Sequence, residues 1–370
     1  MRIAIVHDLL TQMGGAERVL SVLHRMFPEA PVYTAASNNA NMMESLRGAD
    51  IRTTWMQRIP GIERHFKRLL PLYPMAIPQL DWTGYDIVIS SSFMFAKGIR
   101  VPAGTFHYCY CHTPMRFAWD FDNYIEREPY SPLIKTALRG YVKYLRHWDA
   151  KTAGRVDKFV ANSTVVKQRI RNCYGREAEV LFPPVDVDRF RLSPNTGDYY
   201  LVVSRLVPYK RIDLAVETFS KLGLPLYIVG DGPDRERLQS MAAPNVSFLG
   251  RLADKEVGKL MAECRGYVFP GEEDFGITPL EANAAGRPVI AYRAGGALDT
   301  VDPHVSGLYF EHQTADDLAQ AVMEAEGRAW DPRAIRAHAE KFATGRFEAE
   351  FRASLERGYH EFRAKLAAGV

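Results

Sequence analysis

Cysteine is scarce in this chain: Cys109, Cys111, Cys173 and Cys264 are the whole complement among 370 residues. Their number and irregular spacing argue against a disulfide framework, and no second Cys or His pair complements Cys109 and Cys111 as a zinc site requires. A reducing cytoplasm is the expected compartment. Long apolar runs are missing too. No stretch reaches the roughly 18 residues that a membrane-spanning helix needs. The opening MRIAIVHDLL has one basic residue and then a strand-like run, in place of the basic, apolar and small-residue regions of a secretory signal. Neither a span nor a signal is expected. No strand-to-helix turn carries G-x-G-x-x-G, which argues against a dinucleotide oxidoreductase. No Ser/His/Asp or Cys/His set lies where an activated nucleophile is suggested. Internal repeats and low-complexity segments are absent.

What is present fits two globular domains. The length exceeds what one core usually supports, and 47% hydrophobic with 25% charged residues is an ordinary globular balance. Net charge is only +3, but it is uneven: 25 basic against 18 acidic residues up to residue 190, then 22 against 26. A basic first half suits an anionic partner, such as a phosphate-bearing acceptor or a lipid surface. Short β-branched runs open at RIAIV and recur at 86–90, 158–162, 199–204, 225–230, 266–270 and 288–292, with helical patterns such as Ala16 to Met26 between many of them. Strands alternating with helices predict parallel sheets covered on both faces. The Pro- and Asp-rich segment 181–198 reads as a linker, and helical spacing of Phe342, Phe347, Phe351, Leu355, Tyr359 and Phe362 predicts a helical end from about Asp331 to Ala367.

The densest chemical signal is Glu273-Asp-Phe-Gly-Ile-Thr-Pro-Leu-Glu281, followed by Ala-Asn-Ala-Ala-Gly286. Pro279 suits a first helical turn and Gly286 a helix end, so Phe275, Gly276, Ile277 and Thr278 fall at a helix N-terminus, whose free N–H groups favour phosphate. Glu273 then lies in the preceding loop and Glu281 near the first turn; alone, Glu281 is equally an acidic residue favoured by the helix dipole. Upstream, VVSRLVPYKR offers Arg205 and, five positions later, Lys210. VGDGPDRERL supplies Gly230 and Gly232 in a turn, and NVSFLGRL ends on Arg251. In the first half, Gly14 and Gly15 precede the first helix, and YCYCHTPMRFAWDFD holds His112, Arg116 and Asp120. A lone His is more often structural, and Arg116 with Asp120 is as readily a buried polar pair.

Together these stretches resemble the GT4 family of retaining glycosyltransferases, whose E-x7-E signature matches Glu273 and Glu281 with the Phe-Gly pair, the Pro and the Ala-rich helix in place. The resemblance covers nearly the whole chain and is strongest from about 199 to 310. It implies the GT-B fold: two Rossmann-like α/β domains with parallel sheets facing a central cleft, here 1–185 for the acceptor and 186–350 for the nucleotide sugar, with helix 351–370 returning to the first domain. Arg205 and Lys210 match the cations that hold the donor diphosphate. Gly14, Gly15, Gly230, Gly232, Arg251, Phe275, Gly276, Ile277, Thr278 and Glu281 match donor-binding positions, with Glu281 on the ribose. His112 and Glu273 match residues beside the donor sugar, and Arg116 and Asp120 are candidates for the acceptor. Fixed cations doing the work of a divalent ion imply no metal and no cofactor. Asp120-Phe121-Asp122 and Asp186-Val187-Asp188 also read as D-x-D, the metal motif of unrelated glycosyltransferases, but three-residue matches arise readily by chance.

The HTPMR and FPGEEDFGITPLEA segments are similar to bacterial GT4 mannosyltransferases of polysaccharide assembly. Mannose from GDP-mannose is therefore the expected donor, and a glycan or polyprenyl-linked saccharide the expected acceptor, with no nucleic-acid partner. A UDP-sugar donor is the nearest rival, and an epimerase or binding protein of the same fold a further one. RHFKRLLPLYP (64–74) and a helix carrying Lys135, Arg139, Lys143 and Arg146 along one stripe add the expectation of peripheral contact with an anionic cytoplasmic membrane face.

Overall fold

The computed structural model describes residues 1–62, 66–121 and 131–369. It divides into two compact units, an N-terminal unit of Met1–Phe182 with Phe347–Val370 and a C-terminal unit of Pro183–Arg346.

The N-terminal unit is built on seven parallel strands in the order β3-β2-β1-β4-β5-β6-β7. They are β1 (Ile3–His7), β2 (Val32–Thr34), β3 (Ile51–Thr53), β4 (Ile87–Ser92), β5 (Phe106–Cys111), β6 (Lys158–Ala161) and β7 (Ala178–Val180). Alternate side chains leave opposite faces of a strand. Thus Ile5 packs with Val19, Leu20 and Leu23 of α1 (Gly15–Met26), while Ala4 and Val6 face Trp82, Phe95 and Leu145 on the other side. Leu145 belongs to α2 (Pro132–Ala153), which starts with Pro132 at its first turn after Ser131, whose Oγ accepts from the amide of Ile134. Asp149 anchors this helix: it pairs with the buried Lys97 and accepts from Trp119 Nε1 and the Tyr174 hydroxyl, each at 2.7 Å. Cys109 and Cys111 lie in a third apolar cluster with Phe159 and Ile170, where burial raises the Cys111 thiol pKa.

The basic stripe expected along α2 is interrupted. Arg139 and Lys143 are exposed, Lys135 is half-buried, and Arg146 turns inward to donate from Nε to the carbonyl of Ala118 at 2.5 Å. In the companion segment 64–74, residues 64 and 65 lie outside the described residues, as does Asp122 of the first D-x-D. Among the described residues no helix is long and apolar enough to cross a membrane.

The C-terminal unit has six parallel strands in the order β10-β9-β8-β11-β12-β13: β8 (Tyr200–Val203), β9 (Leu226–Val229), β10 (Val246–Gly250), β11 (Gly266–Phe269), β12 (Val289–Tyr292) and β13 (Gly307–Phe310). Their inward residues Val202, Ile228, Val268, Ile290 and Leu308 share one core with Leu214 and Phe219 of α3 (Ile212–Leu222) and with Leu318 and Val322 of a later helix.

The structure refines two sequence expectations here. The Pro- and Asp-rich segment contains the boundary between the two units, and beyond it the chain is fixed to the C-terminal unit: Arg287 donates to the carbonyls of Ser193 and Asn195, and Arg336 to those of Phe190 and Ala284. Val185 likewise donates its amide to Phe342 O, which places it in the C-terminal unit. The helical end is two helices, Pro332–Glu340 and Thr344–Ala368. Phe342, between them, rests on Phe275, whereas Phe347, Phe351 and Leu355 complete the N-terminal core beside Tyr108 and Tyr110. Tyr108 to Cys111 are the last four residues of β5, so His112 follows the strand directly.

Candidate active site

In a parallel sheet, loops leaving the carboxyl ends of strands diverge where the strand order reverses, and this opens a crevice. In the C-terminal unit the reversal lies between β8 and β11. The loop after β8 carries Arg205 and Lys210 and the loop after β11 carries Glu273, and the structure joins Lys210 Nζ and Glu273 Oε1 as an ion pair. Glycines permit the approach. A Cβ on Gly271 would lie 2.7 Å from the carbonyl oxygen of Lys210, and one on Gly295, at φ 61°, 2.3 Å from that of Glu273. Gly296 N donates to the same Glu273 carbonyl at 2.8 Å. Glu273 thus has a backbone clamped from the turn after β12.

The expected helix is present as α4 (Ile277–Ala284), entered through Gly276 at φ 88°. Ile277 and Thr278 are half-buried at its start, and Thr278 hydrogen-bonds Tyr267, whose hydroxyl also donates to Val203 O at 3.0 Å. Phe275 turns its ring into the core, leaving its backbone to the site. Glu281 lies past the first turn, 4% exposed, and accepts from Arg189 at 3.1 Å. Gly230 and Gly232 serve the neighbouring backbone: a Cβ on either would stand 1.9 or 2.2 Å from the carbonyl oxygens of Ser204 and Leu206, which flank Arg205. Arg205 is exposed and donates to the Tyr209 hydroxyl at 2.8 Å, and Arg251 is exposed just beyond β10.

Sequence reasoning missed Arg211. It is the one described non-glycine residue at positive φ, 55°, a conformation that costs roughly 1–2 kcal/mol. Its guanidinium donates to Asp213 and to Gln313, and Gln313 donates to Pro270 O at 2.9 Å, tying the Lys210 loop to the Glu273 loop.

In the N-terminal unit the order reverses between β1 and β4. His7 ends β1, Ser91 is next to last in β4, and His112 follows β5. Ser91 Oγ lies 3.0 Å from His7 Nδ1 and 2.8 Å from His112 Nε2. Burial, with a smaller contribution from His7, pushes the His112 pKa down to about 3, so its imidazole is neutral at physiological pH. Gly14 precedes α1 and Gly15 begins it, exposed. Asp8, also unmarked by any motif, accepts the amides of Phe93, Met94, Phe95 and Ala96 at 2.5–2.9 Å and so shapes the loop after β4. Arg116 and Asp120 bracket one helical turn just after His112, the first half-buried and the second exposed.

The family model described as Glycosyl transferases group 1 matches residues 186–342, and that described as Glycosyltransferase Family 4 matches residues 13–189. A GDP-mannose-dependent alpha-mannosyltransferase of Mycobacterium tuberculosis is 38% identical over 87% of this chain and 81% of its own. The chain belongs to glycosyltransferase family 4. A second relative of this glycosyltransferase, the GDP-mannose-dependent alpha-(1-6)-phosphatidylinositol monomannoside mannosyltransferase of the same species, is 34% identical over 45% of the chain and 55% of its own. Anabaena HepE in complex with UDP superposes with a TM-score of 0.73 at 18% identity, covering 96% of the glycosyltransferase and 100% of HepE. Sucrose-phosphate synthase from Thermosynechococcus elongatus gives 0.72 at 15%, covering 97% and 100%. These two show its fold, GT-B.

Proposed function

We propose that this glycosyltransferase moves mannose from GDP-mannose to a glycan or lipid-linked saccharide, with retention at the anomeric carbon and without a metal. The observation that carries the reading is the meeting of Lys210 and Glu273 beside the glycine-entered start of α4. A cation and the amides at a helix start suit a diphosphate, and a neighbouring carboxylate suits sugar hydroxyls. The printed names of the mycobacterial relatives support the choice of GDP-mannose.

In this reading Arg205, Lys210 and the amides at Phe275 to Thr278 take the diphosphate. Glu273 holds donor-sugar hydroxyls, Glu281 the ribose, and His112 touches the donor sugar. Arg116 and Asp120 meet the acceptor. As the bond from C1 to the diphosphate oxygen breaks, these fixed charges stabilise the leaving group. The acceptor oxygen forms the new bond to C1 on the same face, and its proton passes to a donor phosphate oxygen. No enzyme nucleophile is needed.

Incubation with radiolabelled GDP-mannose, UDP-glucose and UDP-galactose, each with polyprenyl-linked and free saccharide acceptors, tests the reading. Transfer from GDP-mannose that survives EDTA is the expected result. Transfer from a UDP-sugar alone overturns the donor, and loss with EDTA restored by manganese overturns the metal-free phosphate site. Peripheral docking on the cytoplasmic membrane face rests on Arg139 and Lys143 with the exposed Ile134 and Tyr144 of α2. Sedimentation with anionic liposomes at low salt, reversed at high salt, is expected; binding indifferent to lipid charge rejects it.

A further inference from the structure

Behind His112 lies a row of buried polar groups that no sequence motif announces. His7 and Ser91 have no exposed surface, Glu17 keeps 1% and His112 keeps 7%. His7 Nε2 and Glu17 Oε1 are buried without a hydrogen-bond partner, and they stand 3.8 Å apart. Buried unpaired polar atoms are costly, so two of them side by side call for an explanation. Gly14 contributes to the arrangement, because a Cβ there would lie 2.9 Å from Glu17 Oε2.

The chemistry of the row limits its protons. Ser91 has one O–H to donate and lies between two imidazole nitrogens; a buried O–H left without an acceptor is costly, so it donates to one ring and accepts from the other. Above the ordinary imidazole range, where neither ring carries a second proton, two arrangements keep the Ser91 proton between the rings. In the first, Ser91 donates to His7 Nδ1, His7 carries its proton on Nε2 toward Glu17, and His112 donates Nε2–H to Ser91. His112 then presents a bare Nδ1 lone pair on its other edge. In the second, every proton is reversed, and the His7 lone pair faces Glu17 while His112 carries its proton on Nδ1. An ionised carboxylate attracts an N–H and repels a lone pair, which selects the first arrangement.

We propose that Glu17, His7 and Ser91 are positioning residues that hold His112 in the tautomer protonated on Nε2, so that Nδ1 accepts a hydrogen bond from a donor-sugar hydroxyl. This rests on the reading above that His112 touches the donor sugar. The consequence is a specificity rule: a donor lacking that hydroxyl leaves the Nδ1 acceptor unpaired when it fills the site and is discriminated against. Gly14 acquires a reason of its own, since it leaves room for the Glu17 carboxylate.

The test uses the full chain labelled with 15N-histidine and two-bond proton–nitrogen correlation spectra, with His112 assigned by the signals lost in His112→Asn. Protonating His7 fills both of its nitrogens and enforces the second arrangement, so spectra are recorded at pH 8.5. The expected wild-type spectrum shows a protonated Nε2 and a bare Nδ1 for His112. Glu17→Met removes the carboxylate group and Ser91→Ala the bridge; each is expected to yield a mixture of tautomers and to lower kcat/KM with GDP-mannose by about tenfold or more, the scale of a misplaced active-site contact. A wild-type His112 protonated on Nδ1, or an unchanged tautomer in either folded variant, overturns the proposal. The spectra need no substrate, so they are independent of the functional reading, which fails separately if His112→Asn transfers mannose at the wild-type rate.

Discussion

Lys210 and Glu273 lie in contact and are each only partly covered, with side-chain exposures of 13% and 23%. A pair of that kind adds at most about 1 kcal/mol to stability, so its value is in what the two charges do to a ligand. Lys210→Ala and Glu273→Ala are each expected to lower turnover by about a hundredfold or more while the melting curve stays near that of the wild type. Wild-type turnover in either folded variant removes that residue from the reaction. His107 tests burial at the same scale. It is enclosed between Ser90 Oγ at 2.9 Å and the carbonyl of Arg155 at 3.2 Å, and burial lowers its pKa to about 4 from the ordinary 6.5. The fold therefore favours the neutral ring. Its contribution is complete above pH 6.5 and is lost as pH falls from 6.5 toward 4, a difference on the order of 3 kcal/mol. Urea midpoints measured from pH 7 down to 4 are expected to fall, and to fall less steeply in His107→Gln; equal slopes reject the assignment.

At the scale of elements, the site in the C-terminal unit depends on loops that touch through backbone. Gly295 has no room for a side chain, since a Cβ would stand 2.3 Å from Glu273 O, and its positive φ strains any other residue. Gly295→Ala is expected to cost about 1–3 kcal/mol and to raise the Kd for donor by tenfold or more, because the Glu273 backbone must move. Thermal unfolding and donor titration check both parts, and an unchanged Kd would show that the turn after β12 does not set the Glu273 loop. Much of this site was legible beforehand, since Glu273, Gly276, Pro279 and Gly286 lie close together in sequence and each has a local reason for its place. Arg211 and Gln313 were not legible, because their link joins residues that only a folded sheet brings together.

For the whole molecule, the last helix belongs to the N-terminal core. Phe347, Phe351 and Leu355 are at most 4% exposed there, and truncating a single such side chain costs roughly 3–5 kcal/mol, against a total stability of about 5–15 kcal/mol for an ordinary domain. A chain ending at Arg346 is expected to lose the N-terminal fold, and limited proteolysis should then leave a fragment close to 183–346. A protease-resistant 1–182 in that truncated protein would contradict this account. By itself the sequence determined what local pattern can encode: the alternation of strands and helices, the glycine-entered helix after Glu273, and the membership of a glycosyltransferase family carried by that motif. It gave the final phenylalanines one helical rhythm, but tertiary structure divided them, Phe342 to one core and Phe347, Phe351 and Leu355 to the other. It marked His112, but not Glu17, His7 and Ser91, which come from a helix start and two strand ends. Periodicity reports which face of an element is apolar and is silent about which partner covers it. That choice is made by the packing of surfaces distant in sequence, and the buried polar row behind His112 exists only once the packing is complete.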